Sequence, residues 1–289
     1  MRDWPPITEP ELLDRLALDD DHFRAFVRNL AAALGRREMT PALLERALGY
    51  PWERPPRSYV MRGREVQLLE QLDPGARERV IREFARDRHP ILAFGSNAAP
   101  AALGIKFGHF QDEAEREVLV LTGALHDLDV GPAATLTVYG SMPAALFSSP
   151  GTAVRAALLW VTPAQLTQLT WSELSYRLGR LDTTRFEVDE AEVEVEHVLG
   201  YVNRFGVLHP DGEPVALAAV PAAGRRAPAL TQEQLLARFA PLLLGPGAGA
   251  GELVRAIFED MGALVARAAE HVWPLGRQLA PELWTPYPT

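Results

Sequence analysis

The 289-residue sequence contains no cysteine, which excludes disulfides, thiolate nucleophiles and cysteine-ligated zinc, and makes an intracellular location the simplest expectation. It also lacks any apolar run approaching the roughly 20 residues of a membrane-spanning helix. Met1-Arg2-Asp3-Trp4-Pro5-Pro6 has no apolar signal core, so a cytoplasmic protein with no membrane partner is expected. Basic residues are in the minority, 29 against 38 acidic, and the net charge of −9 argues against nucleic acid as a partner. The seven histidines are scattered and no His-Glu-x-x-His occurs. No metal site is therefore expected, and His126-Asp127-Leu128-Asp129 reads as a solvated loop. There is no internal repeat at the spacing of roughly 20–50 residues that marks solenoids.

What is present is an ordinary globular composition, 47% hydrophobic, divided by its periodicity into three regions. Residues 1–89 read as a helical region. Thr8-Glu9-Pro10-Glu11 is a capping box, Phe23, Phe26, Val27, Leu30 and Leu34 form an apolar helix face, and Thr40-Pro41 and Asp73-Pro74 open further helices. Pro51, Pro55 and Pro56 forbid regular structure between them, and this region reads as scaffold without chemistry. From 90 to 222 the pattern shifts to short apolar strands at Val118–Leu121, Thr135–Val138, Pro143–Phe147, Val154–Val161, Val193–Val202 and Val215–Val220. Turn signals such as Ser149-Pro150-Gly151 separate them, and a helix begins at Thr162-Pro163-Ala164-Gln165. Residues 223–289 return to helix, with a cap at Thr231 and Gln234. The glycine-rich run Gly245–Gly251, which has no βαβ context, is a linker into a last helix over 252–271. The fold class is α+β: a small, mostly antiparallel β-barrel flanked by N- and C-terminal helical regions.

The functional signal lies in Ile91-Leu92-Ala93-Phe94-Gly95-Ser96-Asn97, an apolar strand halted by a tight loop. Pro100 and the alanines around it begin a short helix that Gly104 can stop. Such a loop can present the amides of Gly95, Ser96 and Asn97 to an anion, next to a helix N-terminus. Taken alone, Gly-Ser-Asn is only a turn. Ser96 could also be a nucleophile on a strand-to-helix turn, although Ala98 stands where Gly-x-Ser-x-Gly requires its second glycine.

Phe94-Gly95-Ser96-Asn97 combines with the strand–turn–strand Ala144–Trp160 around Ser149-Pro150-Gly151 and the helix end Leu169-Thr170-Trp171-Ser172-Glu173-Leu174. In that order and spacing, residues 90–222 resemble the gamma-glutamylcyclotransferase-like superfamily, whose corresponding motifs are Tyr-Gly-Ser-Asn, Ser-Pro-Gly and Leu-Asp-x-x-Glu-Gly. The resemblance implies a cofactor-independent reaction on a small gamma-glutamyl substrate, an amide, amine or dipeptide. The substrate's α-amine attacks its own γ-carbonyl, closing 5-oxoproline and expelling an amine. By position Glu173 would be the general acid/base, and the Phe94–Asn97 loop, Tyr176 and Tyr201 would bind substrate. Phe94, Thr170 and Leu174 replace the family's Tyr, Asp and Gly. Those departures keep a second reading open, a non-catalytic binding or interaction module on the same fold; a serine hydrolase using Ser96 is the third.

Overall fold

The computed structural model of the chain describes residues 4–181, 185–190, 195 and 198–288. Its helices are α1 Pro10–Ala17, α2 Asp20–Ala33, α3 Pro41–Leu48, α4 Pro74–Asp87, α5 Pro100–Phe107, α6 Pro163–Ser172, α7 Gln232–Leu244, α8 Ala250–Glu259 and α9 Met261–His271. Its strands are β1 Tyr59–Arg62, β2 Glu65–Leu68, β3 His89–Ala93, β4 Glu117–Pro132, β5 Ala144–Val161, β6 Tyr176–Leu181, β7 Phe186–Val188 and β8 Val198–Asn203. The short strands β9 Val207–Leu208, β10 Ala216–Leu217, β11 Ala222–Ala223, β12 Ala229–Leu230, β13 Gly276–Arg277 and β14 Thr285–Pro286 complete the set.

The helix starts follow the capping chemistry of the sequence. Thr40, Asp73, Thr162 and Thr231 each accept a hydrogen bond from a first-turn amide, and Thr162 and Thr231 form full capping boxes with Gln165 and Gln234. Two expectations differ. The Thr8–Glu11 box does not form, since α1 begins behind Glu9 with no side-chain cap. The last helix is two: the chain leaves helical geometry at Asp260 (φ −153°, ψ 83°), whose carboxylate caps α9 through the Ala263 amide.

The large sheet runs β14-β6-β8-β3-β5-β4-β1-β2, with β7 added to β4 and β11 to β5. Its pairings are antiparallel except β3 with β8. Among the described residues no pairing joins β14 to β2: the sheet is large and mostly antiparallel, and it is not closed into the expected barrel. The region read as all helical contributes the β1–β2 hairpin, which pairs with β4 over Tyr59–Arg62. Ser149-Pro150-Gly151, expected to turn the chain, instead lies inside β5. The strand absorbs it opposite an irregularity in β4 at His126–Leu128, where Asp127 takes φ 61° and accepts a hydrogen bond from the Gly151 amide at 2.9 Å. Thr135–Val138 is likewise no strand but a loop, with Thr137 N–H donating to the Ser141 carbonyl at 2.8 Å.

Alternation along the central strands gives the sheet two buried faces. Leu92 and Leu158 join a core with Phe23 of α2 and with Leu236, Leu253 and Leu264 of the C-terminal helices. Ile91, Ala93, Ala157 and Leu159 face a second core with Leu12, Leu103 and Leu166 of α1, α5 and α6. Both flanks therefore share their cores with the sheet. Arg204, its side chain 2% exposed, fastens α1 by donating to the carbonyls of Arg15, Leu16 and Leu18, groups that a helix end leaves without partners. The C-terminal tail is an edge strand on β6. Tyr287 then donates to the Pro5 carbonyl at 2.7 Å and accepts from the Ile7 amide at 3.0 Å, tying the two ends of the chain together.

Candidate active site

The strand-end loop and the end of α6 meet at one edge of the sheet. After β3 the chain is buried through Phe94, surfaces at Gly95 and makes a single 3-10 turn over Ser96–Ala98 before α5. A Cβ on Gly95 would lie 2.7 Å from the Tyr50 hydroxyl and 3.1 Å from the Ala144 Cβ, so the close approach of these groups requires glycine. Opposite, α6 stops at Ser172 and Glu173 occupies the position that caps it (φ −103°, ψ 53°).

Glu173 Oε1 accepts hydrogen bonds from Lys106 Nζ at 2.8 Å and from Asn97 Nδ2 at 3.0 Å; Lys106 Nζ also donates to Asn97 Oδ1 at 2.5 Å. The Lys106 and Glu173 side chains are only 15% and 14% exposed, and each charge offsets the other. Both bonds fall on Oε1, so Oε2 has no hydrogen-bond partner among the described residues and is open to a ligand proton.

A cavity of about 390 Å³ opens beside this cluster. Ser96, Lys106, Glu173 and Tyr176 form its polar end, while Phe26, Val27, Leu30 and Leu34 of α2 and Met261 of α9 supply apolar wall. Arg46, Trp52 and Tyr139 also line it, the Arg46 guanidinium 4.3 Å from the centre of the Trp52 ring. Leu174 lines the cavity without filling it. A narrow crevice next to it is bounded by Phe94, Gly95, Asn97, Glu173, Tyr176 and Tyr201.

The structure thus gathers Glu173, Gly95, Ser96, Asn97 and Tyr176 around one space. Phe94 and Tyr201 border the crevice but are themselves buried. The Tyr201 hydroxyl is 3.0 Å from Thr170 Oγ1, and Thr170 donates to the Leu166 carbonyl at 2.8 Å, so the tyrosine is satisfied inside the core. Tyr176 donates to the Ala144 carbonyl at 2.6 Å and Tyr50 accepts from the Ala144 amide at 2.9 Å, which pins the start of β5 under the loop. Among the described residues no histidine lines either cavity, so none of them offers an imidazole to activate Ser96. His126–Asp129 is not a solvated loop. It lies in β4, with Asp129 fully buried against Arg225. Among the described residues no group of three or more His, Asp or Glu side chains could hold a metal ion, and no helix is long and apolar enough to cross a membrane.

The sequence reading missed Lys106 and the residues from the first 89, Tyr50, Trp52 and the α2 face. A signal for Lys106 existed: it is the only lysine among the 29 lysines and arginines of the chain. Where every other side chain of its kind is arginine, a lone compact ammonium stands out, since lysine and arginine present different donor geometries.

Burial raises the phenol pKa of Tyr50, Tyr59, Tyr139, Tyr176 and Tyr201 above the ordinary value of 10.0, with Tyr139 pushed up to about 12. The charge of Glu173 adds to the effect at Tyr50, Tyr139, Tyr176 and Tyr201. Above pH 10.0 the unfolded chain therefore sheds protons that the folded chain keeps, and stability falls as pH rises from there. An ultraviolet absorbance titration followed alongside circular dichroism should show these five phenols ionising together with unfolding. Reversible ionisation of most of them near pH 10.0 in the folded protein would contradict that burial.

Compared with models of known protein families, with curated proteins and with solved structures, the chain shows no significant match.

Proposed function

We propose that this protein is a gamma-glutamylcyclotransferase-like enzyme, which cyclises a gamma-glutamyl amide, amine or dipeptide to 5-oxoproline and releases the amine. The observation that carries this reading is the meeting of the Glu173 carboxylate with the Gly95–Asn97 loop at the narrow crevice, joined through the Asn97 side chain at 3.0 Å, with Ser96 and Glu173 also lining the open cavity beside it.

The chemistry asks little of the protein. Nucleophile and electrophile share one molecule, and holding them in attack geometry can contribute about 7–11 kcal/mol. Glu173 takes a proton from the substrate ammonium, and the freed amine attacks the γ-carbonyl. As the bond to the leaving nitrogen breaks, Glu173 returns that proton to it; the second proton shed by the ring nitrogen also passes to the released amine, which departs as its ammonium, so the carboxylate ends as it began. Lys106 and Asn97 hold Oε1 and so aim Oε2 at the reacting nitrogens. The loop amides bind the substrate α-carboxylate or polarise the carbonyl. The α2 wall of the cavity suits a bulky, apolar leaving group better than glycine. The test is release of 5-oxoproline from a panel of gamma-glutamyl compounds. Turnover is expected, fastest with large apolar leaving groups, and no release from any member would remove the enzyme reading.

One observation favours the non-catalytic alternative. Lys106 already matches the charge of Glu173, as in an ion pair that serves only the structure. Under that reading the panel compounds bind without being consumed.

A further inference from the structure

The segment Trp52-Glu53-Arg54-Pro55-Pro56 between α3 and β1 separates two cavities. Trp52 lines both; Glu53, Arg54, Pro55 and Pro56 line only the second, of about 530 Å³, which Glu173, Lys106, Gly95, Ser96 and Asn97 do not line. The walls of this second cavity are mostly apolar. Ala98, Ala156, Ala157 and Val120 are buried small residues that leave the space open, and Tyr59, Pro55 and Pro221 enclose it.

Two guanidinium groups reach the cavity, and they differ in their partners. Arg155 is committed to Asp189, 2.7 Å from Oδ1, and the Thr122 hydroxyl donates to that same carboxylate at 3.0 Å. Arg54 is half-buried and has no carboxylate within 4.0 Å among the described residues. Among the described residues it makes one hydrogen bond, a long one of 3.5 Å to the Phe94 carbonyl. Burial and the neighbouring Arg155 both depress its pKa, as expected of a cation short of partners. A guanidinium has five donors in a planar fork that fits a carboxylate bidentately. Asp189 neutralises Arg155 and Glu53 is exposed to solvent at the rim, so within the cavity the Arg54 charge is the one that no described carboxylate meets, and a phosphate dianion would bring one negative charge too many for it.

We infer that this second cavity binds a monocarboxylate with an apolar body, its carboxylate on Arg54 and its body against the alanine and proline walls. The volume falls within the roughly 300–1,000 Å³ range of small-ligand sites.

The experiment is calorimetric titration of the full chain with 4-phenylbutyrate, with the uncharged 4-phenylbutanol and inorganic phosphate as comparison arms. Saturable binding of phenylbutyrate is expected, weaker by about tenfold or more for both comparison ligands and for Arg54→Gln. Ala219 is exposed at the rim, so Ala219→Trp should block entry without disturbing the core, and it carries the test if Arg54→Gln does not fold. Arg46→Gln, in the other cavity, should leave binding unchanged. No saturable binding by the unaltered chain would overturn the inference, as would undiminished binding by Ala219→Trp or a loss confined to Arg46→Gln.

Discussion

Glu173→Gln is expected to lower the turnover of a gamma-glutamyl substrate by about 10²–10⁴-fold, the usual contribution of a positioned general acid/base. Glutamine keeps the shape of the side chain, and its carbonyl can still accept from Lys106 and Asn97, so KM should change little and the loss should fall on kcat. The substitution leaves the Lys106 ammonium beside a neutral amide, but that side chain borders the open cavity and can take up water there. The melting temperature should therefore fall by no more than a few degrees. Lys106→Met separates positioning from proton transfer. It removes the donor that fixes Oε1 and should cost about 10²-fold through misplacement of the carboxylate, less than the loss of the carboxylate itself. Lys106→Arg should not restore the rate, because a fork replaces a point donor at 2.5 Å from Asn97 and 2.8 Å from Glu173. Full activity in folded Glu173→Gln would end the assigned role. Equal losses in kcat for all three variants would mean that the cluster acts only as a structural unit.

The two halves of this cluster were unequally legible in the sequence. Glu173 could be placed because Thr162, Pro163 and Gln165 fix where α6 begins, and the carboxylate follows about three turns later. The Gly95–Asn97 loop could be placed because a run of apolar strand residues ends there abruptly. Lys106 was hidden by one local misjudgement, that Gly104 ends its helix. An added Cβ at Gly104 meets nothing within 4 Å, so the glycine has no special backbone duty there. A mid-helix glycine costs only about 1 kcal/mol, and burial of Leu103 and Phe107, four residues apart on one face, outweighs it. The helix runs on to Phe107 and carries Lys106 to the carboxylate. Ser149-Pro150-Gly151 misled in the opposite direction: its turn propensity is real, but β4 offers a matching irregularity at Asp127 and the strand continues. Tyr50 and the α2 wall could not be read locally at all, because they reach the site only through packing of the N-terminal helices on the sheet.

Arg225→Met is expected to destabilise the fold by about 3–5 kcal/mol, the cost of leaving one member of a buried ion pair uncompensated. Asp129 is fully buried in β4, and Arg225 grips both its oxygens, Nε to Oδ2 at 2.8 Å and Nη2 to Oδ1 at 2.7 Å. The same guanidinium donates to the Val220 carbonyl at 2.8 Å, so it fastens the segment around β11 to the long central hairpin. Asp129→Leu should cost less, because the Arg225 side chain is 13% exposed and can turn towards solvent, whereas the aspartate has no such exit. The double variant Asp129→Leu with Arg225→Met removes both charges and should recover much of the loss, since an apolar replacement of a buried pair is often close to neutral. Chemical denaturation of the three variants measures the coupling directly. A loss below about 1 kcal/mol in Arg225→Met would show that water reaches Asp129 and that the pair behaves as an ordinary surface contact.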